Sequence, residues 1–117
     1  MKAFTDISQS KKLAEILPLE NADMGWNVFV DGTTRILPIN DWDLVKDGIG
    51  NVKFYPAWSL AALLNILPYP SLLKTFSGWR CDSYYKEGNT CMLGESADNQ
   101  IDACYEMIIR LHELNLL

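Results

Sequence analysis

The stretch WNVFVDGTTRILPI, Trp26 to Ile39, sets β-branched and aromatic residues on both sides of Asp31-Gly32. Asp-Gly tolerates the backbone angles of a tight hairpin turn, so the segment predicts two antiparallel strands. Just downstream, WDLVKDGIGNVKFY (Trp42 to Tyr55) places Asp47-Gly48 in the same position. Two copies are too few for a repeat architecture, and the pair predicts two successive hairpins of an antiparallel meander. Pro38 has no backbone donor and belongs at a strand end or edge. Tyr55-Pro56 is expected to break the last of these strands.

Helical signals flank the meander. A helix is predicted from about Asp6 to Leu17, capped by Thr5 or Asp6 and ended by Pro18. The run AWSLAALLNIL, Ala57 to Leu67, reads as a buried helix with Leu60, Leu63, Leu64 and Leu67 on one stripe. Pro68-Tyr69-Pro70-Ser71 is a turn, followed by a short helical piece at Leu72 to Thr75. WRCDSYYKEGNTC, Trp79 to Cys91, predicts a hairpin turning at Glu87-Gly88-Asn89. A last helix starts from an Asn99 cap, with Glu106 and Arg110 as an i,i+4 pair on its outer face. The order helix, four strands, helix, hairpin, helix predicts an α+β fold: an antiparallel sheet of hairpins with about three helices packed on one face, in a single globular domain over residues 1–117.

Composition narrows the function classes. The chain has 117 residues, 49% of them hydrophobic, enough for a core without metal or disulfide staples. Fifteen acidic residues against ten basic ones give a net charge of -5, which offers no footprint for a phosphate backbone and speaks against nucleic acid as partner. The opening MKAFTDISQSKK is polar where a secretory leader carries an apolar core. The longest apolar run is too short for a bilayer, so no membrane association is expected. Three cysteines without a scaffold-like spacing complete a picture of reduced thiols in the cytoplasm.

The cysteines and the lone histidine are the residues most able to carry chemistry. In the predicted hairpin Cys91 lies across from Tyr84 or Tyr85 and Cys81 across from Gly94 or Glu95. The two sulfurs are then on the order of 10 Å apart, beyond disulfide reach. Gaps of nine and twelve residues between Cys81, Cys91 and Cys104 match no zinc knuckle. Cys104 and His112 stand roughly 12 Å apart along their helix, so one ion cannot bind both. No metal or cofactor is expected. His112 falls near the centre of an apolar face with Ile101, Cys104, Tyr105, Ile108, Ile109 and Leu111, and is expected to be a partly buried core residue. A dyad of His112 with Cys81 or Cys91 is the one enzymatic arrangement left.

Other motifs are absent. The Asp41, Asp43 and Asp47 cluster lacks the glycine and glutamate of a calcium loop, with Lys46 and Val52 in their places. There is no dinucleotide, P-loop or nucleophile-elbow signature. Asp82, Glu87 and Glu95 are expected to be exposed surface charge. On the terminal hairpin, alternation sends one of each adjacent pair away from the core. Arg80 and Tyr84 on such an outer face form an anchor pair of the kind enriched in protein interfaces.

Four segments carry a family resemblance: FTDISQSKKLAEILPLENADM, YPAWSLAALLNILP, GWRCDSYY and ADNQIDACYEMIIRLHELNLL. Together they resemble a group of short uncharacterised proteins from prophages and mobile elements of gut bacteria. The resemblance implies an accessory protein acting in the bacterial cytoplasm, and carries no catalytic or binding role onto any residue. The expectation is a non-enzymatic protein that binds another protein through Arg80 and Tyr84. A small-ligand or peptide module with an aromatic cleft near Trp42, Trp58 or Trp79 is the alternative, and a cysteine-dependent enzyme the second alternative.

Overall fold

The computed structural model describes residues 2–38, 51–84 and 92–117. The Asp47-Gly48 hairpin with Trp42, the Glu87-Gly88-Asn89 turn, Tyr85 and Cys91 lie outside them. The class is α+β: among the described residues, three α-helices accompany two three-stranded antiparallel sheets. The chain divides into two compact units, Phe4–Ser59 and Leu60–Leu117 with Met1–Ala3.

In the first unit, α1 spans Ile7–Ile16. Asp6 caps it: its carboxylate accepts from the Gln9 amide at 2.8 Å, and the Gln9 side chain accepts from the Asp6 amide at 3.1 Å. This reciprocal box satisfies donors that the first helical turn leaves open. Strands β1 (Met24–Phe29), β2 (Thr34–Pro38) and β3 (Asn51–Ala57) form a sheet in the order β2-β1-β3. The β1–β2 hairpin turns at Asp31-Gly32 as its residues predict. The loop is Val30–Gly32, closed by the Phe29 amide on the Thr33 carbonyl at 2.9 Å, with Gly32 at a φ of 87°. Only glycine adopts that angle without strain.

Pro38 closes β2, an edge of the sheet among the described residues, where its missing donor costs no ladder bond. The expected break at Tyr55-Pro56 does not occur: β3 runs through Pro56, which pairs with Gly25 of β1. Among the described residues β3 is the sheet's other edge, and it tolerates proline for the same reason. Thr5 ties the unit together. Its amide donates to the Trp58 carbonyl at 2.9 Å, and its carbonyl accepts from the Trp26 indole at 2.8 Å. Its buried hydroxyl accepts from the Trp58 amide at 3.1 Å and meets the Ser10 hydroxyl at 2.8 Å. Asp23 accepts from both the amide and the hydroxyl of Ser59.

In the second unit, α2 spans Leu60–Ile66. It is shorter than predicted because Ala57 completes β3, and Trp58 and Ser59 are engaged by Thr5 and Asp23. The expected helical piece at Leu72–Thr75 is instead a strand, β4 (Pro70–Lys74). Four residues are too few to nucleate a helix alone, whereas β5 supplies a full ladder of hydrogen bonds. β5 (Trp79–Tyr84) lies between β4 and β6 (Met92–Ala97). The β4–β5 turn needs Gly78: a Cβ there would stand 2.3 Å from the Ala97 carbonyl oxygen. Helix α3 (Gln100–Glu113) starts from the predicted Asn99 cap, which accepts from the Asp102 amide at 2.8 Å. It buries Ile101, Ala103, Cys104, Met107, Ile108 and Leu111, and it packs on β5 and β6.

Candidate functional site

The register of β5 and β6 decides which residues share a face. Cys81 pairs with Glu95, one of the two partners predicted, and Asp82 pairs with Gly94. Cys81 and Glu95 face α3: the Cys81 sulfur lies 3.8 Å from that of Cys104, and Arg110 Nη1 is 2.7 Å from Glu95 Oε1. Arg110 therefore bridges α3 to β6 rather than pairing with Glu106 along the helix. By the two-residue period of a strand, Arg80, Asp82 and Tyr84 occupy the opposite, outer face. Ser71 and Leu73 of β4 and Met92, Gly94 and Ser96 of β6 stand beside them.

Arg80 and Tyr84 are thus placed on one face, as the alternation of the hairpin predicts. Between them lies Asp82, which was expected to be exposed and is not: its side chain is 8% accessible. Arg80 Nε donates to Asp82 Oδ1 at 2.7 Å. Gly94 makes the pair possible, because a Cβ on it would stand 2.2 Å from Arg80 Nη2 and 2.3 Å from Asp82 Oδ1. The ion pair lies over the glycine. Arg80 keeps 43% of its side chain accessible while the carboxylate holds its Nε. Leu73, cross-strand from Arg80, is 50% exposed, and Met92, cross-strand from Tyr84, is 46% exposed. Phe76 in the β4–β5 turn is fully exposed. The outer face is therefore a fixed cation between an aromatic ring and exposed apolar side chains.

Asp82 and Gly94 are the members of this face that sequence reasoning missed. The signal was present as Arg-x-Asp at i,i+2 on a strand, with a glycine one strand over. Reading it required the register, which the turn residues did not supply.

The thiols and the histidine part company. Cys104 is buried on α3 as predicted, and it touches Cys81, a contact between strand and helix that no local pattern signals. The S–H of Cys104 pointing at the Cys81 sulfur holds Cys81 below the ordinary thiol value, against burial and the Asp82 charge. That contact and burial push Cys104 up. His112 is exposed, which corrects its expected place in the core. The buried face of α3 runs through Ala103, Cys104, Met107, Ile108 and Leu111, and its centre lies about 100° around the helix from His112. Since Cys81 meets Cys104, and His112 is eight residues farther on, roughly 12 Å of helix separates Cys81 from the imidazole.

Two other expectations have structural counterparts. Trp58 is wholly buried, and its indole N–H has no hydrogen-bond partner among the described residues. Trp79 is half-buried with the Lys74 ammonium 5.3 Å from its ring centre. Among the described residues, no group of three or more His, Cys, Asp or Glu side chains is placed to hold a metal ion, and no helix is long and apolar enough to cross a membrane. Compared with protein-family models, curated proteins and solved structures, the chain matches none.

Proposed function

We propose that the chain is a non-enzymatic accessory protein that acts by binding another protein through the outer face of the β4–β5–β6 sheet. The observation that carries this reading is the Arg80 guanidinium, held by the buried Asp82 carboxylate over Gly94, on the strand face that also carries Tyr84, with Leu73 cross-strand from Arg80 and Met92 cross-strand from Tyr84. Arginine and aromatic side chains supply much of the binding energy at protein interfaces. An arginine already fixed in place loses less entropy on docking than a free one. The net charge of -5 leaves nucleic acid a poor partner. The resemblance to proteins of prophages and mobile elements supports an accessory role in the bacterial cytoplasm.

The test is retention of partners from a bacterial lysate by the immobilised protein. An Arg80→Glu, Tyr84→Ala double variant with an unchanged circular dichroism spectrum is expected to lose the proteins that the parent retains. Retention unchanged in that variant would move the interface elsewhere.

A further inference from the structure

Cys81 and Cys104 come from different elements, the central strand β5 and the helix α3, and are 23 residues apart in the chain. Both are wholly buried and free, with their sulfurs 3.8 Å apart. A disulfide needs about 2.05 Å between sulfurs, so the two must close by about 1.8 Å. Rotation of the two side chains about their Cα–Cβ bonds is the motion that brings the sulfurs together.

We propose that Cys81 and Cys104 are an oxidisable dithiol, reduced at rest and closed by peroxide into a disulfide that staples α3 to the centre of the β4–β5–β6 sheet. Neither the binding face nor the Arg80–Asp82 pair is needed for this. Hydrogen peroxide is the two-electron oxidant. The Cys81 thiolate attacks one peroxide oxygen, the O–O bond breaks, and the departing hydroxide takes up a proton to leave as water. Cys81 is then a sulfenic acid. The Cys104 sulfur displaces the sulfenic hydroxyl, which leaves as a second water with the Cys104 proton. Two sulfurs have lost one electron each, and the peroxide has gained both. The order of attack follows from the contact itself, since the Cys104 S–H donates to the Cys81 sulfur and favours negative charge there. Peroxide is close to water in size, and ordinary local opening of the helix–sheet packing admits it. A reducing thiol reverses the step by exchange.

The staple has a mechanical consequence. It closes the chain from β5 through β6 into α3 as one loop, so β5 and α3 can no longer separate at the cross-link during local opening. The device suits a protein that works among reduced thiols and meets oxidant intermittently.

The experiment uses the full chain carrying Cys91→Ser, so that the third cysteine cannot compete. Folded protein is treated with hydrogen peroxide, quenched, denatured, alkylated and weighed. The expected product has lost two hydrogens, takes up no alkylating agent and yields on digestion one cross-linked peptide pair joining Cys81 to Cys104. Dithiothreitol restores both thiols. Its thermal midpoint is expected to rise by several degrees over that of the reduced form, with an unchanged circular dichroism spectrum. Addition of Cys104→Ser must abolish the cross-link and leave Cys81 as a trappable sulfenic acid. Three outcomes overturn the proposal: both thiols survive treatment in the folded protein, the cross-link forms only in denaturant, or the oxidised form melts below the reduced one.

Discussion

Gly94 shows how one missing side chain organises a face. Asp82 is a carboxylate almost out of water, a position that costs several kcal/mol unless a cation and hydrogen bonds offset it. Arg80 supplies both at 2.7 Å, but only because Gly94 leaves room over the strand. In Gly94→Ala the new methyl displaces the guanidinium and leaves Asp82 without its donor. The expected loss is about 1–2 kcal/mol in urea denaturation, discounted because Arg80 is itself part-exposed. In an Asp82→Asn background the same substitution is expected to cost much less, since the charge to be neutralised is gone. Equal losses in both backgrounds would mean that Gly94 matters for backbone reasons alone.

The β1–β2 hairpin is held by its own turn. Asp31 accepts from the Thr33 hydroxyl at 2.6 Å and from the Thr33 amide at 3.0 Å. These two donors, the hydroxyl first, lower its carboxyl below the ordinary 3.8. An acid with a depressed folded value stabilises the fold above its unfolded value, and that contribution is lost as pH falls through the folded one. Amide protection in Phe29–Thr34 is therefore expected to weaken below pH 3.8, and Asp31→Asn, which keeps an acceptor, to remove the acid step. An Asp31 carboxyl titrating at or above the ordinary value by nuclear magnetic resonance would contradict this. Among the other elements, α1 and α3 were legible because their caps are local: Asp6 with Gln9, Asn99 with Asp102. β4 was not, because Ser71-Leu72-Leu73-Lys74 carries no period of its own and becomes a strand only beside β5.

For the whole molecule, charge sets behaviour in solution. At pH 7 a net charge of -5 makes copies repel one another, and this repulsion vanishes near the sequence isoelectric point of about 4.7. Turbidity of a concentrated solution is expected to peak near pH 4.7 and to clear again on either side. Clarity through that range would show that the exposed Leu73, Met92 and Phe76 do not drive self-association once charge is gone. The α+β class, the first hairpin, the helix caps and the presence of Arg80 and Tyr84 on one strand face were determined by the sequence itself. Each follows from signals spanning a few neighbouring residues, where φ preference, capping and side-chain period act directly. Tertiary structure alone decided that Pro56 continues a strand, that Asp82 is buried, that His112 is not, and that Cys81 meets Cys104. Those outcomes depend on which strand lies at an edge, on the register of β5 against β6, and on the turn of α3 over the sheet. They are set by contacts between residues far apart in the chain, which no local pattern encodes.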